Sequence, residues 1–87
     1  MRKISFEAEA FEELATWAAL DKKVHKRIVK IILETLRTPF EGLGKPEPLK
    51  HQLKGCWSRR ITDEHRLIYR VTDDAIVIMA CMYHYEK

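Results

Sequence analysis

Reactive side chains gather in the second half of the chain. A proline- and glycine-rich stretch, residues 39–48 (PFEGLGKPEP), carries Glu47 between two prolines, arginines follow at 59, 60, 66 and 70, and Tyr83-His84-Tyr85 lies near the end. The sequence has no metal-ligand spacing, no phosphate-binding glycine loop and no nucleophile elbow. What remains is a carboxylate, a histidine and several cations. That set suits cleavage of RNA by the substrate's own 2′-hydroxyl: a base takes the 2′ proton, an acid protonates the leaving 5′ oxygen, and cations stabilise the phosphorane. A lone Glu between prolines is more often simply solvated, and a terminal His is often idle, so neither residue carries this reading by itself.

Length and composition restrict the setting for such chemistry. With 87 residues, 46% hydrophobic and 33% charged, the chain suits one globular domain, residues 1–87, burying roughly 60 to 65% of its unfolded surface. No apolar run approaches the roughly 20 residues that span a bilayer, and the N-terminus turns acidic where a signal peptide would become apolar. A cytoplasmic protein without a membrane partner is expected. Cys56 and Cys81 lack CxxC spacing and are read as small apolar fillers, with no metal or other cofactor implied. The formal charge is only +3, but between Lys45 and Arg70 seven cations face three acids. A basic surface of that kind suits a polyanion, because phosphate contacts release counterions and steer association.

The elements that must position these residues follow from periodicity. Ile4 and Phe6 alternate with polar neighbours as in a half-buried strand, and Phe11, Leu14, Ala15 and Ala18 then form the stripe of a first helix from about Glu7 to Leu20. Asp21 is a candidate N-cap for a second helix, with Val24, Ile28, Ile31, Ile32 and Leu36 on one arc and Lys22, Lys23, Lys26, Arg27 and Lys30 on the other. Thr38 before Pro39 ends that helix near Arg37. Strands are expected at Leu49–Leu53, Trp57–Thr62, Arg66–Thr72 and Ala75 to about Tyr83, the last two joined by a tight Asp73-Asp74 turn. Short connections require antiparallel pairing, and the last strand, apolar at both parities, belongs in the interior of the sheet. A two-residue turn also puts Arg66 opposite Cys81 and His84 on the other parity, so the tail must bulge or leave the sheet if the two share a site. The expected class is α+β, an antiparallel β-sheet with an N-terminal α-helical hairpin packed on one face.

Three stretches, residues 37–51 (RTPFEGLGKPEPLKH), 57–67 (WSRRITDEHRL) and 83–85 (YHY), resemble the signature of the Txe/YoeB toxins of bacterial type II toxin-antitoxin systems, within the RelE/ParE superfamily. The likeness runs from about Arg37 to the end; the first strand and first helix fit by pattern. The resemblance implies a RelE-like, microbial RNase-like fold and a ribosome-dependent mRNA endonuclease, cutting mRNA in the ribosomal A site without a metal. It also implies Glu47 as general base, His84 as general acid, Arg66 as stabiliser of the transition state, and Tyr85 as a residue orienting His84 or a nucleotide; the cations near Glu47 in sequence leave open that it only orients the 2′-hydroxyl. Lys50, Arg59 and Arg60 are then RNA contacts. Lys22, Lys26 and Lys30, on the outer arc of the second helix, are further candidates for ribosomal RNA. Implied partners are a cognate YefM/Axe-like antitoxin, the 70S ribosome with its mRNA, and a possible second copy of the toxin. Two other readings stand beside this one: a gyrase-inhibiting relative of the ParE kind that needs no acid-base pair, and a plain RNA-binding module that tolerates loss of His84.

Overall fold

A computed structural model describes residues 1–83. In chain order it contains β1 (Lys3–Phe6), α1 (Ala8–Leu20), α2 (Lys22–Arg37), β2 (Glu47–Pro48), a single 3-10 turn (His51–Leu53), β3 (Cys56–Arg60), β4 (Arg66–Val71) and β5 (Ala75–Ala80). Asp21 caps α2 as expected, its side chain accepting from the N–H groups of Lys23 at 3.1 Å and Val24 at 3.2 Å. The helix stops at Arg37, ahead of the Thr38-Pro39 pair.

The strands form one sheet in the order β1-β5-β4-β3-β2, with the helical hairpin on one face. β5 lies in the interior, between β1 and β4. The sheet is mixed, not wholly antiparallel, because β1 pairs parallel to β5 from Lys3 opposite Ala75 to Phe6 opposite Ile78. The hairpin α1–α2 supplies the long excursion after β1, so this strand is free of the short-turn constraint that makes its neighbours antiparallel. Leu49–Leu53 is not a strand. Extended pairing is confined to Glu47 and Pro48, after which the chain makes the 3-10 turn that brings Leu49 and Leu53 onto Cys56, Ile68 and Ala80.

The main core lies between helices and sheet: Ala10 and Trp17 from α1, Ile28, Ile31 and Ile32 from α2, and Leu67, Tyr69, Ile76 and Ile78 from the sheet. α1 therefore buries Ala10 and Trp17, and of the expected stripe only Leu14 packs against the core, half-buried, while Phe11, Ala15 and Ala18 are exposed. Phe11 is exposed and rests edge-on against Phe6 at 5.7 Å between ring centres. Both stripes have helical spacing, and the one containing the large indole wins because it removes more apolar surface from water. Both cysteines are buried and unpaired. Among the described residues no helix is long and apolar enough to cross a membrane.

Alternation along β3 and β4 sorts the side chains into two faces. Trp57, Leu67 and Tyr69 face the helices, whereas Cys56 and Ile68 belong to the small cluster on the opposite side. The pairs Glu47–Ser58, Ser58–Ile68, Arg60–Arg66 and Cys56–Arg70 are in register. Glu47, Ser58, Arg60, Arg66 and Arg70 thus project from the face that the helices leave open.

Candidate active site

Glu47 owes its position to a loop with few backbone hydrogen bonds of its own, fastened instead by one arginine. Arg59, fully buried, directs Nε to the Tyr69 hydroxyl at 3.1 Å and Nη1 to Glu34 Oε1 at 2.8 Å and the Leu43 carbonyl at 3.2 Å. Its Nη2 reaches the carbonyls of Thr38 and, at 2.9 Å, Glu41. A guanidinium has five N–H donors, and each finds an acceptor here. Tyr69 in turn donates to the Pro39 carbonyl at 2.7 Å. Arg59 is therefore no RNA contact: it is the post to which residues 38–43 are tied. Glu34 completes the post by accepting from Leu43 N at 2.6 Å, and this bond, with the Arg59 guanidinium, holds its carboxyl below the ordinary range against the opposing effect of burial.

Gly44 closes the loop onto β3. Its φ of +79° is left-handed, and a Cβ there would sit 2.8 Å from the Arg60 carbonyl oxygen. In return the Gly44 carbonyl accepts from Arg60 N at 2.6 Å. Only a residue without a side chain allows that approach. From this closure the chain runs straight into β2, which sets Glu47 beside Ser58.

On the open face, Glu47 is exposed and Arg60, two residues along β3 from its partner Ser58, is its diagonal neighbour, a relation that spans roughly 7 to 8 Å. Arg60 is exposed and stands directly opposite the half-buried Arg66. Nη1 of Arg66 is steadied by the carbonyls of Thr62, Asp63 and His65 at 2.7, 3.1 and 3.1 Å. Lys50 is exposed just beyond β2, and Arg70 extends the positive strip. Lys22, Lys26 and Lys30 are exposed too, but on α2, which packs against the other face of the sheet. They are not brought to this site.

His84 and Tyr85 lie outside the described residues. β4 and β5 pair with the register of a two-residue turn from Val71–Ile76 to Tyr69–Ile78, and then Ile68 faces Ala80, a shift of one residue. That bulge alters the expected match: Arg66 N donates to the Tyr83 carbonyl at 2.9 Å and Arg66 does not face Cys81. The chain between is held by α1, through Trp17 Nε1 on the Cys81 carbonyl at 2.9 Å and Glu13 Oε1 on Cys81 N at 2.7 Å. Burial, and secondarily the nearby Glu13 carboxylate, pushes the Cys81 thiol up to about 12.

Sequence reasoning passed over Glu34, Trp17 and His65 as parts of this arrangement. Glu34 had left a signal, since it lies about 60° from Ile31 on the helical wheel, inside the apolar arc of α2 where an acid needs a partner. Trp17 and His65 left none without the fold.

Residues 6–85 match the model of the family described as YoeB-like toxin of bacterial type II toxin-antitoxin system. The chain belongs to the YoeB toxin family. A toxin YoeB of Escherichia coli O6:H1 is 57% identical over 95% of this chain and 99% of its own. Among solved structures, the YoeB dimer from Staphylococcus aureus is 45% identical with a TM-score of 0.89, covering 97% of this chain and 98% of that one. The toxin in the YoeB-YefM complex from the same organism is 43% identical with a TM-score of 0.88, covering 98% and 99%. The α+β class expected of a YoeB-family chain holds, with β1 as its parallel exception.

Proposed function

We propose that this YoeB-family toxin is a ribosome-dependent mRNA endonuclease acting through substrate-assisted, metal-independent cleavage. Glu47 takes the 2′-hydroxyl proton, or orients that hydroxyl, as its oxygen attacks the adjacent phosphorus. Arg66 stabilises the charge on the pentacovalent phosphorus. His84 gives a proton to the leaving 5′ oxygen, and Tyr85 orients His84 or a nucleotide. The products are a 2′,3′-cyclic phosphate and a 5′-hydroxyl. Lys50 and Arg60 hold flanking phosphates, and Lys22, Lys26 and Lys30 offer a separate basic surface to ribosomal RNA.

One observation supports this reading most strongly: Arg60 and Arg66 stand directly opposite one another, beside Glu47, on the uncovered face. Like charges in a cross-strand pair destabilise a sheet. The pair gains a purpose when a phosphate lies over it. An acidic, YefM-like antitoxin segment would satisfy the same cations and mask the toxin, and a second copy of the chain is a further partner by analogy with the S. aureus dimer.

Single-turnover cleavage of mRNA on 70S ribosomes tests the chemistry. Glu47→Gln and His84→Gln are each expected to slow cleavage by about 10²- to 10⁴-fold while ribosome binding persists. A 2′-deoxy or 2′-methoxy group at the scissile nucleotide must block the intact protein. Cleavage of the 2′-blocked mRNA sinks the mechanism. Toxicity surviving both substitutions, with RNA uncut, would favour a gyrase-binding activity instead.

A further inference from the structure

His65, in the turn between β3 and β4, meets Tyr83, the last described residue. Its imidazole is largely buried, packed edge-on to Trp17 at 4.8 Å and tilted against the Tyr83 ring at 5.3 Å between ring centres. Nδ1 accepts from the backbone N–H of Tyr83 at 2.7 Å. An acceptor Nδ1 puts the ring proton on Nε2, which points toward Glu64 Oε1 at 3.8 Å. Tyr83 itself has φ +61°, a left-handed conformation that a residue with a Cβ rarely adopts. Its N–H is taken by His65 and its carbonyl by Arg66 N at 2.9 Å. Two consecutive residues of one turn thus grip both polar groups of the residue that directly precedes His84.

We infer that His65 is a positioning residue for cleavage: its Nδ1 fixes Tyr83, the residue directly before His84, in its left-handed conformation. The inference rests on the proposed role of His84. His65 touches no reacting atom in this scheme. Its neighbour Arg66 belongs to the site, so one turn couples the stabilising cation to the anchor of the proton donor, and small displacements of either reach the other.

His65→Asn and His65→Phe separate the acceptor from the packing. Asn can place an oxygen where Nδ1 stands, whereas Phe keeps an aromatic ring against Trp17 and offers no acceptor. With melting temperature and ribosome affinity measured alongside, His65→Phe is expected to slow single-turnover cleavage by about 10- to 100-fold, the scale of a misplacement near 1 Å, with affinity unchanged. His65→Asn should recover most of the rate. Amide hydrogen exchange at Tyr83 should be slow in the wild type and His65→Asn, and fast in His65→Phe. Wild-type cleavage by His65→Phe overturns the inference, and so does an equal loss in both variants, which would make the role one of packing alone. His84→Gln run in parallel keeps the two claims apart. If it is inactive while His65→Phe is fully active, only the positioning role fails; if it cleaves normally, the role of His84 fails first.

Discussion

Arg59 and Arg60 are consecutive in β3 and chemically identical, yet they belong to different worlds. Arg59 faces the helices, is fully buried and spends its guanidinium on Glu34, Tyr69 and three carbonyls. Arg60 faces away, is exposed, and meets another cation, Arg66, across the strand pair. The first fastens the loop that delivers Glu47; the second is left where a phosphate can use it. Strand alternation alone decides which arginine is scaffold and which is available, and a count of positive charge cannot distinguish them.

The largest effect that sharpens this contrast is expected for Arg59→Met. Removing the guanidinium strands Glu34 and the loop carbonyls without their donor, which should cost about 3 to 5 kcal/mol in urea denaturation. Arg59→Lys should restore little, because an ammonium lacks the planar fork that reaches several acceptors. A loss below 1 kcal/mol for Arg59→Met would end the claim that the loop hangs on this residue.

Gly44→Ala comes next. It forces a Cβ into a left-handed position against the Arg60 carbonyl and should cost about 1 to 3 kcal/mol, with activity falling because the loop shifts Glu47. Retention of full stability and activity would show that the loop closure is looser than its geometry implies.

For Arg60→Ala the order reverses. Stability should stay within about 0.5 kcal/mol, while the salt dependence of ribosome binding loses roughly one unit of slope. A fall in stability comparable to that of Arg59→Met would erase the contrast between the two positions.

The smallest effect is one of pH. The Glu34 carboxyl is held below the usual carboxylate range, chiefly by Leu43 N–H and then by Arg59. A depressed acid contributes stability that is complete above the unfolded value and is lost as pH falls through the folded one. The stability difference between wild type and Glu34→Gln should therefore be level above about pH 5.5 and close as pH falls below 4.5. A difference that persists unchanged at pH 3 would mean that the Glu34 charge is not what Arg59 holds.

Much of this arrangement was legible in the chain itself. The Asp21 cap, the end of α2 before Pro39 and the β4–β5 turn are local signals, set by residues adjacent in sequence. Errors arose where the answer depends on distant partners. β1 carries no mark of whether it lies parallel or antiparallel to β5, and α1 offered two stripes of equal spacing, resolved only by where Trp17 finds the Cys81 carbonyl. Arg59 was misassigned because its acceptors come from α2, β4 and the loop together. Glu47 and Arg66 were named from sequence, but that they share a face depends on the short β2 pairing, which was expected two residues later as a longer strand.

Cys81 turns the anchored chain end into something that can be timed. A thiol pushed up to about 12 stays protonated in neutral solution, and a protonated, buried thiol reacts with alkylating reagents only after its surroundings open. Its own backbone is gripped by Glu13 and Trp17, two residues ahead of the grip on Tyr83. With Cys56 replaced by alanine, the labelling rate of the remaining thiol becomes a clock for how often that end of the molecule comes loose. Read with and without the proposed antitoxin, the same clock tells whether that partner stills the surroundings of Cys81 or merely covers them.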